Sequence, residues 1–134
     1  MKLTKTETDL IKSQGVARIA TVSHDGKPHN VPVCPVWDRG KAYIGSEKTA
    51  AKVKHVQANP NAAIVFDVYH DSWRGLRGVM LQCTATVVGE IEFKRIRRKL
   101  YAKYPKYKTD AALEPGDSVI IELTPEKKFS WGFE

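Results

Sequence analysis

The stretch Val16-Ala17-Arg18-Ile19-Ala20-Thr21-Val22-Ser23-His24-Asp25-Gly26-Lys27-Pro28-His29-Asn30-Val31-Pro32-Val33-Cys34-Pro35-Val36-Trp37-Asp38-Arg39-Gly40-Lys41-Ala42-Tyr43-Ile44-Gly45 decides the fold. It opens with a β-branched run in partial alternation over Val16 to Val22, the pattern of a strand with one buried face. Asp25-Gly26 then gives a strong hairpin signal. The chain returns from Asn30 to Trp37 as a second strand. Pro32 and Pro35 cannot donate to a ladder, so this strand is expected at an edge or with a bulge. Asp38-Arg39-Gly40-Lys41 turns again, and Ala42 to Gly45 is a third strand. Three strands joined by tight turns predict a meander.

Working outward, residues 4–14 read as a short helix that Gly15 stops. After the third strand, Ser46 to Asn59 reads as a helix with Ala50, Val53 and Val56 on one face, ended by Asn59-Pro60. Ala62 to Val68 is nearly all apolar and predicts a strand buried on both faces. His70 to Leu76 is a loop, and Arg77 to Gly89 a long strand. Phe93, Ile96, Leu100 and Tyr104 recur at helical steps. Pro105 to Asp117 reads as irregular. Ser118 to Thr124 is a last strand, and Phe129 to Phe133 an aromatic tail. About six strands with flanking helices predict a mainly β, α+β single domain over residues 1–134, a split or closed barrel.

A chain of 134 residues can bury a core without metals or disulfides. No apolar run approaches the roughly 20 residues of a membrane helix, and residues 1–8 hold no apolar signal core, so a cytoplasmic location is expected. The two cysteines, Cys34 and Cys83, sit in apolar runs without CxxC spacing and read as buried, reduced thiols. The formal net charge is +7, and much of it lies in Lys94 to Lys108, interleaved with Tyr101, Tyr104 and Tyr107. A solvated amphipathic helix is favoured there over a nucleic-acid surface.

The chemistry-bearing candidates are few. Gly45-Ser46-Glu47-Lys48-Thr49-Ala50-Ala51-Lys52 joins a strand to a helix start, where free N–H groups and hydroxyls suit a phosphate. Lys48 and Lys52, four apart, read as able to lean over one turn, with Lys52 the better candidate. The competing reading is N-capping by Ser46 with solvated lysines. Asn30-Val31-Pro32-Val33 offers backbone amides to a planar ring. Trp73-Arg74-Gly75-Leu76-Arg77-Gly78 offers an aromatic wall and two guanidinium groups. His24, His29, His55 and His70 have no metal-ligand spacing, and no nucleophile elbow or acid–base pair stands out. An enzyme of this composition relies on a cofactor, and no catalytic residue is assigned.

In succession these segments resemble the pyridoxamine 5′-phosphate oxidase-like flavin-binding family. The resemblance rests on Ala17 to Val22 with Asp25 to His29, Asn30 to Val33, Tyr43 to Ser46 with Lys52, Asn59 to Ala63, Trp73 to Thr86, and Ser130-Trp131. It implies a six-stranded antiparallel split β-barrel, a homodimer, and two FMN sites at the interface. It places the cofactor phosphate at Ser46, Lys48, Thr49 and Lys52 and the isoalloxazine ring along Val31, Pro32 and Val33. The partner is expected to supply Trp73, Arg77, Gly78 and Trp131. The family's true oxidases carry basic residues on the second strand, near where Asn30 and Pro35 stand. They also carry a C-terminal arginine-containing segment that this chain is expected to lack. Both departures argue against pyridoxamine phosphate as substrate. The stretch before the long strand is more similar to the branch that includes users of the deazaflavin coenzyme F-420. The resemblance therefore implies a flavin or deazaflavin oxidoreductase moving hydride between a nicotinamide donor and a small planar substrate. A non-enzymatic carrier of flavin or haem, or a nucleic-acid binder, is the alternative.

Overall fold

The computed structural model describes residues 1–133. Along the chain come α1 (Lys5–Ser13), β1 (Ala17–Val22), β2 (Pro28–Val33), β3 (Val36–Asp38), β4 (Lys41–Glu47), α2 (Ala51–Ala58), β5 (Asn61–Val68), β6 (Arg77–Val87), α3 (Glu90–Lys103), α4 (Tyr107–Asp110) and β7 (Ser118–Trp131). The strands form one antiparallel sheet in the order β2-β1-β5-β6-β7-β4-β3.

There are seven strands rather than six, because the strand expected from Asn30 to Trp37 breaks at Cys34-Pro35. The expected meander is also corrected. β1 pairs with β2 and β3 pairs with β4, but β2 and β3 are the two opposite edges of the sheet. Pro32 and Pro35 have no N–H with which to prolong one continuous ladder. Only three Cα steps, about 11 Å at most, separate Val33 from Val36. The two edges must therefore meet there, and the sheet curls into a half-closed barrel.

The end of α3 clasps this seam. The Lys103 ammonium donates to the carbonyls of Gln14 (2.8 Å) and Pro35 (2.9 Å). The Tyr104 hydroxyl donates to the same Pro35 carbonyl at 2.6 Å. Burial lowers the Lys103 pKa, since carbonyl dipoles rather than a carboxylate receive its charge.

Alternation along the strands separates two faces. Ala17, Ile19, Ile64, Phe66, Val79, Leu81, Ala85, Ile121 and Leu123 point inward and form the core with Ile44 of β4 and Val53 and Val56 of α2. On the outer face, α3 covers one half only. Its Phe93, Ile96 and Leu100 pack with Leu113 over Tyr43 and Ile120.

Two of the element boundaries that differ from expectation bear on the site, while α3 begins early at Glu90 and the short α4 lies in the segment expected to be irregular. β4 runs on to Glu47, so α2 begins at Ala51 with Ala50 as its N-cap rather than Ser46. β7 is one strand of 14 residues, uniting the expected last strand with the aromatic tail. Pro125 does not end it, because the ladder slips between Gln82 and Cys83 of β6 and leaves Glu126 as the extra residue of a bulge.

α1 is anchored by Glu7, whose side chain is 4% exposed. Glu7 Oε1 accepts the Thr4 N–H (2.7 Å) while Thr4 Oγ1 accepts the Glu7 N–H (3.2 Å), a reciprocal capping box. Lys128 of β7 donates to the same Oε1 at 2.7 Å. Burial alone raises the Glu7 pKa. Lys128, Ser130 and Thr4 outweigh it and bring the carboxyl from 4.5 down to about 2. A depressed folded pKa means stability that is present above the unfolded value and lost as pH falls. All of these contacts to the carboxylate together contribute on the order of 3 kcal/mol by linkage. Acid titration of unfolding is expected to show this loss between about pH 4.5 and 2. Glu7→Gln should remove both the pH dependence in that window and a comparable part of the stability at neutral pH.

Candidate functional site

Half of the outer face is left uncovered by α3. The register fixes its residues. One row across the sheet is Asn30, Ala20, Ala63, Gln82 and Lys127. The next is Pro32, Arg18, Val65, Met80 and Phe129, and beyond it lie Asp67, Gly78 and Trp131. Arg18 and Asp67 pair at 2.8 Å, so the row's one guanidinium is answered within the face. Where β1, β5, β6 and β7 meet, a groove of about 500 Å³ runs over Ala20, Val22, Asn61, Ala63, Gln82 and Lys127. The bulge turns Glu126 toward this groove beside Lys127, and Thr84 donates to the Glu126 carboxylate at 2.8 Å.

At one end of the face stands an aromatic wall. Trp131 Nε1 donates to the Tyr69 hydroxyl at 2.9 Å, which ties the end of β7 to the loop after β5. The indole lies against Gly78, where a Cβ would come within 2.3 Å of the ring. Gly78 is thus the residue that lets the indole lie flat on the sheet. Trp73, in the same loop as Tyr69, is 91% exposed, and Tyr69, Phe129 and Trp131 are 57%, 41% and 36% exposed.

The sequence candidates divide among several places. Asn30 and Pro32 share the bare face with Gly78 and Trp131, and the loop bearing Trp73 leads into its edge. Val31 and Val33 point the other way, into the core. Ser46 is buried on the inward side of β4, and its hydroxyl donates to the Glu47 carbonyl at 3.0 Å. Gly45 admits a close approach, and Leu113 and Tyr107 of the same chain make it. Lys48 precedes α2 and does not share a helical turn with Lys52. With Thr49 it lines a recess of about 340 Å³ that also holds Glu47, Glu114 and Asp117. A phosphate there would meet three carboxylates. Arg77 alternates with Gly78 and so faces inward, beneath α1.

Lys52 has a different setting. It is half-buried in the first turn of α2. No carboxylate among the described residues lies within ion-pair distance of it. His55, three residues on and therefore its neighbour along the helix, hydrogen-bonds Thr21 Oγ1 through Nδ1 at 2.9 Å. Its ring meets His29 of β2 edge-to-face at 5.2 Å. These contacts seat α2, and Lys52 with it, on the flank of the edge strand that carries Asn30 and Pro32.

The basic stretch is largely consumed by the fold. Arg95 pairs with Asp38 and Glu92, and Lys99 pairs with Asp38 at 3.3 Å. Arg97 donates to the Leu113 carbonyl at 3.1 Å, and Lys94 pairs with Glu90 at 3.5 Å. Lys103 lies in the seam, and of this stretch Arg98, Lys106 and Lys108 make no ion pair among the described residues. The reading of both cysteines as buried is half corrected. Cys83 is buried, and burial with the nearby Glu126 carboxylate pushes its thiol up to about 12, whereas Cys34 is exposed at the seam. Sequence reasoning passed over Met80, Val65 and Tyr69. The alternation of Met80, Gln82 and Thr84 was the available sign for the first.

A curled antiparallel sheet with one half of its outer face capped and the other bare defines a split-barrel domain. The chain belongs to the pyridoxamine 5′-phosphate oxidase family, whose model matches residues 3–132. Solved structures share the fold at low identity. The heme storage protein HutZ of Vibrio cholerae is 14% identical, with a TM-score of 0.81, over 96% of this chain and 94% of that one. A FAD-binding protein of Mesorhizobium loti is 20% identical, with a TM-score of 0.76, over 96% and 93%. An F-420 reductase is 20% identical, with a TM-score of 0.76, over 95% and 98%. No curated protein matches the chain. No helix among the described residues is long and apolar enough to cross a membrane.

Gly78→Ala is expected to lift the indole of Trp131 off the sheet and break its bond to Tyr69, at a cost of about 1–3 kcal/mol. Tryptophan emission should shift to longer wavelength and become easier to quench with iodide. A spectrum and midpoint like those of the parent would remove Gly78 from the wall.

Proposed function

We propose that this protein is a homodimeric flavin-binding oxidoreductase, with FMN as its cofactor and the deazaflavin F-420 as the alternative. The bare outer face carries this reading. Sequence apolarity marks β5 as a strand buried on both sides, yet within one chain Ala63 and Val65 are only half-buried. With Ala20, Val22, Pro32, Met80, Phe129 and Trp131 they put apolar side chains on a face where the Arg18–Asp67 pair, Asn30, Gln82 and Lys127 also stand, a mixed surface of the kind that a partner copy covers. A second copy covers it, and the aromatic wall then borders a cleft between copies.

A flavin bound in that cleft supplies hydride transfer. The chain supplies the setting. Lys52 holds the phosphate as a cation with no competing carboxylate. Pro32 and the flank of β2 take one side of the ring, and the partner's Trp131 closes the other and keeps water out. Asn30 gives the edge strand its one amide side chain facing the ring. The family membership and the flavin- and deazaflavin-named structural relatives agree with this cofactor class. A flavin absorbance spectrum of the purified protein supports FMN. A colourless protein that takes up F-420 and not FMN supports the alternative, and a Soret band in place of both overturns the reading.

Lys52→Ala should weaken FMN binding by about tenfold or more, as for loss of a charge-assisted hydrogen bond. Lys48→Ala should change it by less than about twofold. Fluorescence titration measures both, and equal effects would remove Lys52 from its special place. Val65→Asp, which puts a charge at the centre of the bare face, should give a monomer by sedimentation and abolish flavin binding together. A monomer that still holds flavin tightly contradicts the shared cleft.

A further inference from the structure

Arg77 has no role in the flavin reading, because it faces the opposite side of the sheet from Gly78 and Trp131. Its own surroundings are unusual. Arg77 is partly buried, and among the described residues it makes no side-chain hydrogen bond and no ion pair. A partly buried guanidinium with no counterion among the described residues leaves its N–H donors to water or to a ligand. It opens into a recess of about 480 Å³ between α1 and the end of β7.

The remaining walls define what fits there. Leu10 and Phe133 supply apolar surface, and Leu10 is 3% exposed. Gly132 makes the recess: at φ +82° it carries the chain over Leu76 and Arg77, and a Cβ would lie 2.1 Å from the Leu76 carbonyl oxygen. Thr6 adds a hydroxyl. Ser13 adds no donor, because its hydroxyl proton goes to the Leu10 carbonyl at 2.9 Å. Among the described residues Asp9 is the only carboxylate in the lining, and Lys5 answers it at 2.7 Å.

We propose that this recess binds a small organic carboxylate, with Arg77 taking the carboxylate and Leu10 and Phe133 the apolar body. A planar carboxylate matches the two parallel N–H donors of a guanidinium, and the apolar walls select against a bare inorganic anion. The site lies under α1 on the inner side of β6, apart from the proposed cofactor cleft, and goes beyond the flavin reading.

The test uses the full chain, labelled with ¹⁵N and free of cofactor, with benzoate as probe and benzamide as its neutral counterpart. Benzoate should give saturable shifts centred on the amides of Thr6, Arg77 and Gly132 and on Arg77 Nε. Benzamide should bind at least about tenfold more weakly, and Arg77→Gln should cost benzoate about as much. Asp9→Asn, on the exposed side of α1, leaves Arg77 in place and should tighten benzoate by removing a carboxylate from the mouth. Equal binding of the two probes, shifts that survive Arg77→Gln, or benzoate unimproved by Asp9→Asn would each overturn the site. None of these outcomes bears on FMN binding through Lys52, so the two readings fail separately.

Discussion

The whole architecture depends on a covalent constraint: the two edge strands of the sheet are halves of one segment, parted only by Cys34 and Pro35. An open seven-strand sheet has no reason of its own to close. Here closure is compulsory, because β2 and β3 cannot move further apart than three Cα steps allow. The Pro35 carbonyl, freed from the ladder by the break, becomes the acceptor for Lys103 and Tyr104. The seam thus recruits α3, and α3 in turn covers the part of the outer face nearest to it.

That placement explains why the outer face is divided. A single helix can cap only one side of a curled sheet. Arg95 and Lys99, held by Asp38, keep α3 over β3, β4 and the first half of β7. The outward side of β2, β1, β5 and β6 remains bare, and there Ala20, Ala63, Val65 and Met80 alternate with Asn30, Arg18, Asp67 and Gln82. The basic surplus of the chain belongs to this same economy of α3, whose charges are directed at carboxylates and carbonyls of its own chain.

Much of this was legible in the sequence. Alternation and the Asp-Gly turn gave β1 and β2, the long strand β6 stood out, and the helical step from Phe93 to Tyr104 gave α3. Prolines marked the break in the second strand, but local rules could not say that its halves would fly to opposite edges. That outcome is a property of the whole sheet. No local signal carries the last strand past Thr124, because a bulge is invisible until the partner strand is known. The turn at Ser46 to Lys52 looked like one phosphate cradle. Strand pairing carried β4 two residues further, to Glu47, buried Ser46 inside the barrel, and left Lys48 among acids. Residue type singled out Trp131 and Gly78, which the strand register brings into contact. It said nothing about which face Arg77 would take.

β7 comes last in the chain yet lies between β6 and β4, joining the two halves of the sheet. During biosynthesis the earlier strands can emerge only as two separate hairpin-bearing pieces with unsatisfied edges at β6 and β4. The barrel is completed after residue 131 clears the ribosome, so a nascent chain stalled before that point offers two adhesive edges to its neighbours on the same message.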